Sequence, residues 1–211
     1  MKTAYLLATL IFFSLSSGLA KVVTHEQVLE AAGHGSVLTL KKFKSAKGDL
    51  NLQDSHGITP LMQAVANGQS KVVQYLLRQK VNLELQNENG DTALAMALGN
   101  DQDQIAVDLI KAGAKTDVMG SEDKNTMTFM AASVNATKAL ELLIKKSPDQ
   151  LNMKNKKGET PLHEAARFGS EKTLQILIKA GAAKDIKNNE GKTPLDIANS
   201  IKNETAAKLL K

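Results

Sequence analysis

GETPLHEAARFG, residues 158–169, is the stretch on which the reading of this chain turns. His163-Glu164 falls one residue short of a zinc-protease helix. A second histidine in place of Arg167 would complete H-E-x-x-H, with two imidazoles on one helical face and a general base between them. Sliding the sequence along itself gives the string a different meaning. GITPLMQAVANG starts at Gly57, GDTALAMALGN at Gly90 and GKTPLDIANS at Gly191, with a weaker copy, TMTFMAASVN, at Thr126. Aligned on Thr59, Thr92, Thr128, Thr160 and Thr193, the copies stand 33, 36, 32 and 33 residues apart. Upstream, Ala31 stands 33 residues before Ala64, so the segment from Val28 fits the same frame without its TPL. The chain is a repeat array.

Each copy reads as a tight turn followed by two short antiparallel helices. Gly158 permits the positive φ of the turn. Thr160 is placed to cap the first helix with its hydroxyl, and Pro161 fits the first helical position, where no backbone donor is needed. Leu162, Ala165 and Ala166 form a small apolar face for close helix packing, and Gly169 breaks the helix. Thr173, Leu174, Leu177 and Ile178 make the buried stripe of the second helix. Gly181 then ends it as a left-handed cap.

This pattern resembles the ankyrin repeat, whose consensus runs G-x-TPLH-x-AA-x-x-G and then V-x-x-LL-x-x-GA. The match is strongest over Gly158–Ala182, good over Gly57–Leu77 and Gly90–Ala114, and poor over Thr126–Lys146. The resemblance implies an all-α solenoid of stacked turn-helix-turn-helix units with capping units at both ends. The units expected are 21–53, 54–86, 87–122, 123–154, 155–187 and 188–211. It also implies that the threonine and histidine of TPLH hydrogen-bond between neighbouring turns, which makes His163 architectural. A motif lacking its second ligand cannot hold zinc in the zinc-protease manner.

Composition suits such an array. The 211 residues include no Cys, no Trp and 3% aromatics, so no disulfide can staple the fold and Leu, Ala and Val must bury a quasi-one-dimensional core. The formal charge of +5 is too mild to argue for nucleic acid without an aromatic-interleaved basic stripe. Residues 1–20, MKTAYLLATLIFFSLSSGLA, stand outside the repeats. One lysine, an apolar run from Ala4 to about Leu15 and small residues before Lys21 read as a cleaved signal peptide, the run being short for an uncleaved anchor. Thr24 and Gln27 read as a capping box opening the first unit. Lys202, Lys208 and Lys211 give the shortened last unit a solvated edge.

No phosphate-cradling loop, nucleophile elbow, thiol or paired-carboxylate cleft appears, so neither enzyme activity nor a cofactor is expected. Asn87–Asp91 (NENGD) alternates oxygen ligands but lacks the length and closing Glu of a calcium loop, and reads as a turn between units. Protein binding is the class that remains. In ankyrin proteins the turn tips and exposed sides of the first helices meet the partner. Here those positions are His56, Ile58, Asn67, Glu88, Asn89, Asp91, Lys124, Met127, Asn135, Lys156, Lys157, Glu159, Arg167 and Phe168. Phe168 beside Arg167 has the composition of an interface hot spot, the alternative being a ring folded back on the neighbouring unit.

The fourth unit is irregular. Gly120-Ser121-Glu122 reads as a three-residue insert, Thr126 as the replacement of the turn glycine and Phe129 as that of the proline. The loop near Asn135–Lys138 reads as shortened and Ser147-Pro148-Asp149 as a lengthened connection. Met119, Met127 and Met130 offer adaptable side chains to a partner if the unit is a reshaped tip rather than a drifted repeat. An ankyrin array behind an export signal resembles exported bacterial ankyrin proteins, among them the periplasmic self-protection proteins of predatory bacteria. That likeness implies a periplasmic or secreted location and, as partner, a peptidoglycan DD-endopeptidase held in check. A periplasmic scaffold in stress defence, a host-directed effector and a wall-binding protein using Lys154, Lys156, Lys157, Lys187 and Lys192 are the alternatives.

Overall fold

The computed structural model describes residues 23–117 and 124–211. The expected signal peptide and the expected insert Gly120–Glu122 lie outside them, as does Met119. The described residues form twelve α-helices, paired along the chain. The first helices of the pairs are α1 (His25–Gly33), α3 (Pro60–Ala66), α5 (Ala93–Gly99), α7 (Met127–Ser133), α9 (Pro161–Phe168) and α11 (Pro194–Ser200). The second helices are α2 (Val37–Ser45), α4 (Ser70–Arg78), α6 (Asp103–Lys111), α8 (Thr137–Lys146), α10 (Glu171–Lys179) and α12 (Glu204–Leu210). First helices pack on first helices in sequence order, second on second, and each pair on itself. The fold is an all-α solenoid. One hydrophobic core runs through it from Val28 to Leu210.

Capping explains where each pair begins. Thr59, Thr92, Thr126 and Thr193 are buried or half-buried N-caps whose hydroxyls accept the N3 backbone amides of Met62, Ala95, Phe129 and Asp196. In α1 the expected box closes in both directions between Thr24 and Gln27, at 3.1 and 3.2 Å. Thr160 differs from expectation in detail. Its amide and its hydroxyl both meet Nδ1 of His163, at 3.1 and 2.9 Å, so the imidazole closes the cap.

The fourth unit corrects the alignment on Thr128. The N-cap is Thr126, so the caps stand 33, 34, 34 and 33 residues apart, at 59, 92, 126, 160 and 193. Met127 takes the proline position and Phe129 the position of His163. Thr126 does not replace a glycine, and one extra residue, not three, separates it from Thr92. The loop after α7 spans 134–136, the same three-residue length as 67–69 and 100–102, so it is not shortened. The unit's other extra residue is absorbed by α8, ten residues against nine in α6, before Pro148–Asn152 winds into a 3-10 turn. Thr128 is fully buried where Leu162 stands in the next unit. Its amide and hydroxyl both donate to Oε1 of buried Gln150, at 3.3 and 3.1 Å, and Gln150 in turn donates to the Thr116 carbonyl. A polar joint thus replaces an aliphatic one, with every group partnered.

Candidate partner-binding groove

The tips that carry most of the expected binding residues are built alike. An Asn or Asp five residues before the capping threonine turns its side-chain oxygen onto two amides of its own tip. Asp54 accepts from His56 and Ile58, Asn87 from Asn89 and Asp91, Asn155 from Lys157 and Glu159, and Asn188 from Glu190 and Lys192, all at 2.8–3.0 Å. The NENGD segment is one of these turns, its Asn87 oxygen already saturated by backbone. Neighbouring tips are tied by backbone, Glu88 donating to His56 and Asn189 to Lys157. Gly158 is required at such a contact. Its φ is +73°, and a Cβ there would lie 2.8 Å from the Asn189 nitrogen.

Between the tips of the last units and the ends of α7 and α9 lies an open groove of about 680 Å³. Lys156, Lys157, Glu159, Arg167 and Phe168 line it, and these are five of the expected residues. Asn125, Phe129, Asn155, Glu164, Asn188, Asn189 and Glu190 complete the lining. Asn155 and Asn188 are marked in the sequence only by their fixed place before the capping threonine, and Glu164 only by the incomplete zinc pattern.

Arg167 organises the floor. One guanidinium nitrogen pairs with Glu159 Oε1, and the other lies 3.2 Å from Glu159 Oε2 and 2.8 Å from Glu164 Oε2. Burial alone would raise the Glu159 carboxyl, but the hydrogen bonds and charge of Arg167, with help from Asn188, hold it below the usual range. The hydrogen bond to Glu159 pushes Arg167 up in return. Glu164 goes the other way: burial raises it, and the attraction of Arg167 only partly offsets that. The charge that broke the zinc pattern is therefore the one that pairs the glutamate of HE. His163 is fully buried beneath, with Nδ1 taken by Thr160 and Nε2 donating to the Lys192 carbonyl of the next unit at 3.1 Å. That carbonyl only accepts, which fixes the tautomer. Burial holds the ring below the ordinary histidine value, outweighing the pull of the Lys192 carbonyl and Glu159.

Other expected contacts do not join the groove. His56, Ile58, Asn67, Glu88, Asn89 and Asp91 sit on the second and third units, and Ile58 is half-buried against the core. Asn67 donates to the Gln63 carbonyl at 2.9 Å. Lys124 is exposed just outside the groove lining. Met127 is a correction: it is fully buried in the first turn of α7, because Thr126 rather than Thr128 caps the helix and rotates Met127 into the core. Glu159 is also buried, serving Arg167 instead of a solvated tip. Asn135 spends its oxygen on the next unit, accepting from Ser170 N and Thr173 Oγ1 at 2.6 and 2.9 Å. Phe168 is 63% exposed, its ring 5.8 Å from the Arg167 guanidinium carbon. It does not fold back onto a neighbour.

Repeat fold, tip chemistry and family comparison agree on the class. The family model for ankyrin repeats (three copies) matches residues 28–120 and 128–211, and the chain belongs to that family. It is similar, at 41% identity and TM-score 0.79, to a chain of the solved complex of the predatory endopeptidase Bd0816 from Bdellovibrio bacteriovorus with immunity protein Bd3460. That match covers 87% of this chain and 95% of the other. The crystal structure of EF0377, an ankyrin repeat protein, shares the fold at TM-score 0.77 and 22% identity, covering 89% and 97%. The human transient receptor potential cation channel subfamily A member 1 is 29% identical over 153 residues, 72% of this chain but 14% of the channel. These findings support a protein-binding role.

Proposed function

We propose that this chain is an exported immunity protein that binds a peptidoglycan-cleaving DD-endopeptidase of the same cell and holds it inactive until it is deployed. The observation that carries this reading is the 41% identity, over nearly the whole described array, to a chain of an endopeptidase–immunity protein complex. An array with one rigid groove and a clamped floor suits inhibition by steric cover, since a preorganised surface loses little freedom on binding. The wall-binding alternative loses support, because two of its five tip lysines are engaged. Lys154 donates to the Lys187 carbonyl at 2.9 Å, and Lys192 pairs with Glu190 at 2.9 Å.

The test is direct. The endopeptidase of the same cell, purified and mixed with residues 21–211, should elute as one stoichiometric complex and lose its activity on isolated peptidoglycan. No complex at tens of micromolar, or full activity within one, would sink the reading. Export is part of the proposal. Residues 1–20 fused to a reporter active only outside the cytoplasm should give signal, and the extracted protein should begin at Lys21. Recovery with Met1 intact would overturn it.

A further inference from the structure

The residue eight positions after each capping threonine closes the first helix of its pair. From the second unit onward these residues are Asn67, Asn100, Val134, Phe168 and Ile201, and His34 closes α1. The row is polar in the N-terminal half of the array and apolar in the C-terminal half. Phe168 and Ile201 are 63% and 48% exposed, and Val134, one unit earlier in the row, is half-buried against the core. Large apolar groups left in water on consecutive packed helices mark an interaction surface.

The backbone after Phe168 differs from that of the other units. In the other units the helix-closing residue is followed by positive φ, at Gly68, Asp101, Asn135 and Lys202. After Phe168 the chain instead leaves extended, with Gly169 at φ −67°, ψ 145°, and α9 keeps one more helical residue than α3, α5, α7 and α11. No other residue fits there, because a Cβ on Gly169 would lie 2.4 Å from the Ala165 carbonyl oxygen. The ring stands beside a guanidinium clamped by Glu159 and Glu164, so the aromatic and its cation are presented together. Beside this row, Lys156 and Lys157 are exposed on the tip, and neither has a carboxylate within 4 Å among the described residues.

We infer that the endopeptidase docks on the fourth to sixth units through an apolar side chain seated over Phe168, between Val134 and Ile201, with its own carboxylates meeting Lys156 and Lys157. This rests on the immunity reading above and adds the half of the array that is used and the chemistry of the surface it meets. Exposed lysines without partners supply charge complementarity for acidic groups, and the apolar row favours a folded protein surface over a glycan strand.

The experiment measures affinity for the purified endopeptidase by calorimetry at 50 and 300 mM NaCl, with melting of each variant as control. F168A and I201A should each weaken binding by about 30-fold or more, as loss of a buried anchor does. K156E/K157E should weaken it by about tenfold at low salt and abolish most of the salt sensitivity. N67A, on the polar half, should change affinity by less than about threefold. On the complex, hydrogen exchange should slow in the last turn of α9 and in α11 and stay unchanged in α3 and α5, a readout that holds even if F168A folds poorly. Wild-type binding with undiminished affinity in F168A, I201A and K156E/K157E, or with protection confined to α3 and α5, would overturn the inference alone. No binding by the wild type would overturn the immunity reading and this inference with it.

Discussion

His163 spends both ring nitrogens inside the protein, one on the cap of its own helix and one on the carbonyl of Lys192 in the next unit. Replacing it with Ala strands the buried Thr160 groups and leaves the Lys192 carbonyl with only the Asn188 amide, so His163→Ala should lower stability by about 1–3 kcal/mol in denaturant unfolding. The same burial makes stability depend on pH. The folded value lies below the unfolded one of about 6.5, so the unfolded chain binds a proton that the folded chain excludes. The contribution is complete above the unfolded value and is lost as pH falls through the window beneath it. Melting temperatures between pH 7.5 and 5 should therefore fall more steeply in wild type than in His163→Ala; equal slopes would mean the ring binds its proton equally well in the folded and unfolded states. Gly158 and Gly181 form a second comparison at this scale. Both have positive φ, +73° and +89°, but only Gly158 would drive a Cβ into a neighbouring backbone. Gly181→Ala should cost about 1–2 kcal/mol, the ordinary left-handed penalty, and Gly158→Ala clearly more. Melting curves that rank the pair the other way would contradict the tip contact.

At the scale of elements, the fourth unit shows how a repeat can drift and still stack. Its helices keep their places because Thr126 still caps α7 and because Asp103, in the first turn of α6, reaches the next unit. Its two oxygens accept from Lys138 N and Ala139 N at 3.2 and 2.8 Å, in the first turn of α8. The aliphatic contact made by Leu162 in the next unit is exchanged for the Thr128–Gln150–Thr116 chain. Such a joint is only as good as its most weakly satisfied member. Gln150→Leu should therefore cost about 1–3 kcal/mol despite adding apolar surface, since it strands the Thr128 hydroxyl and the Thr116 carbonyl. Gln150→Leu combined with Thr128→Val should recover part of that loss, because the hydroxyl and its acceptor leave together. A double variant no better than the single one would show that the network carries no coupling.

Across the whole molecule, each unit touches only its neighbours, so stability is close to a sum of units and joints. The last unit supplies the Lys192 carbonyl to His163 and the Asn189 amide to the Lys157 carbonyl, and Lys184 reaches the Leu209 carbonyl at 3.0 Å. Ending the chain at Lys187 should expose the face of α9 and α10 that α11 and α12 cover. The shortened protein should melt well below the parent and aggregate more readily as salt screens its net positive charge. If it instead unfolds like the parent, the sixth unit is a passive cap. The same linear construction lets one half of the array carry a groove while the other half only supports it.

Periodicity alone was enough to establish the class of fold. Turn glycine, capping threonine, proline and paired small residues are local requirements of each unit, and they recur in register whatever the surface does. The expected export signal rests on a one-dimensional pattern too, in residues outside those described. The register of the fourth unit was not, because Thr126 and Thr128 are equally plausible caps until the hydrogen bond from Phe129 N selects one and turns Met127 inward. Nor was the electrostatic floor of the groove. Glu159 and Glu164 are five residues apart and look like two solvated charges, and only the winding of α9 brings both within reach of Arg167. The exposure of Phe168 follows from its place at the end of α9, a position that is exposed in most of the other units as well. A side chain's surroundings depend on neighbours some thirty residues away along the chain, whereas the pattern that builds each unit repeats within itself.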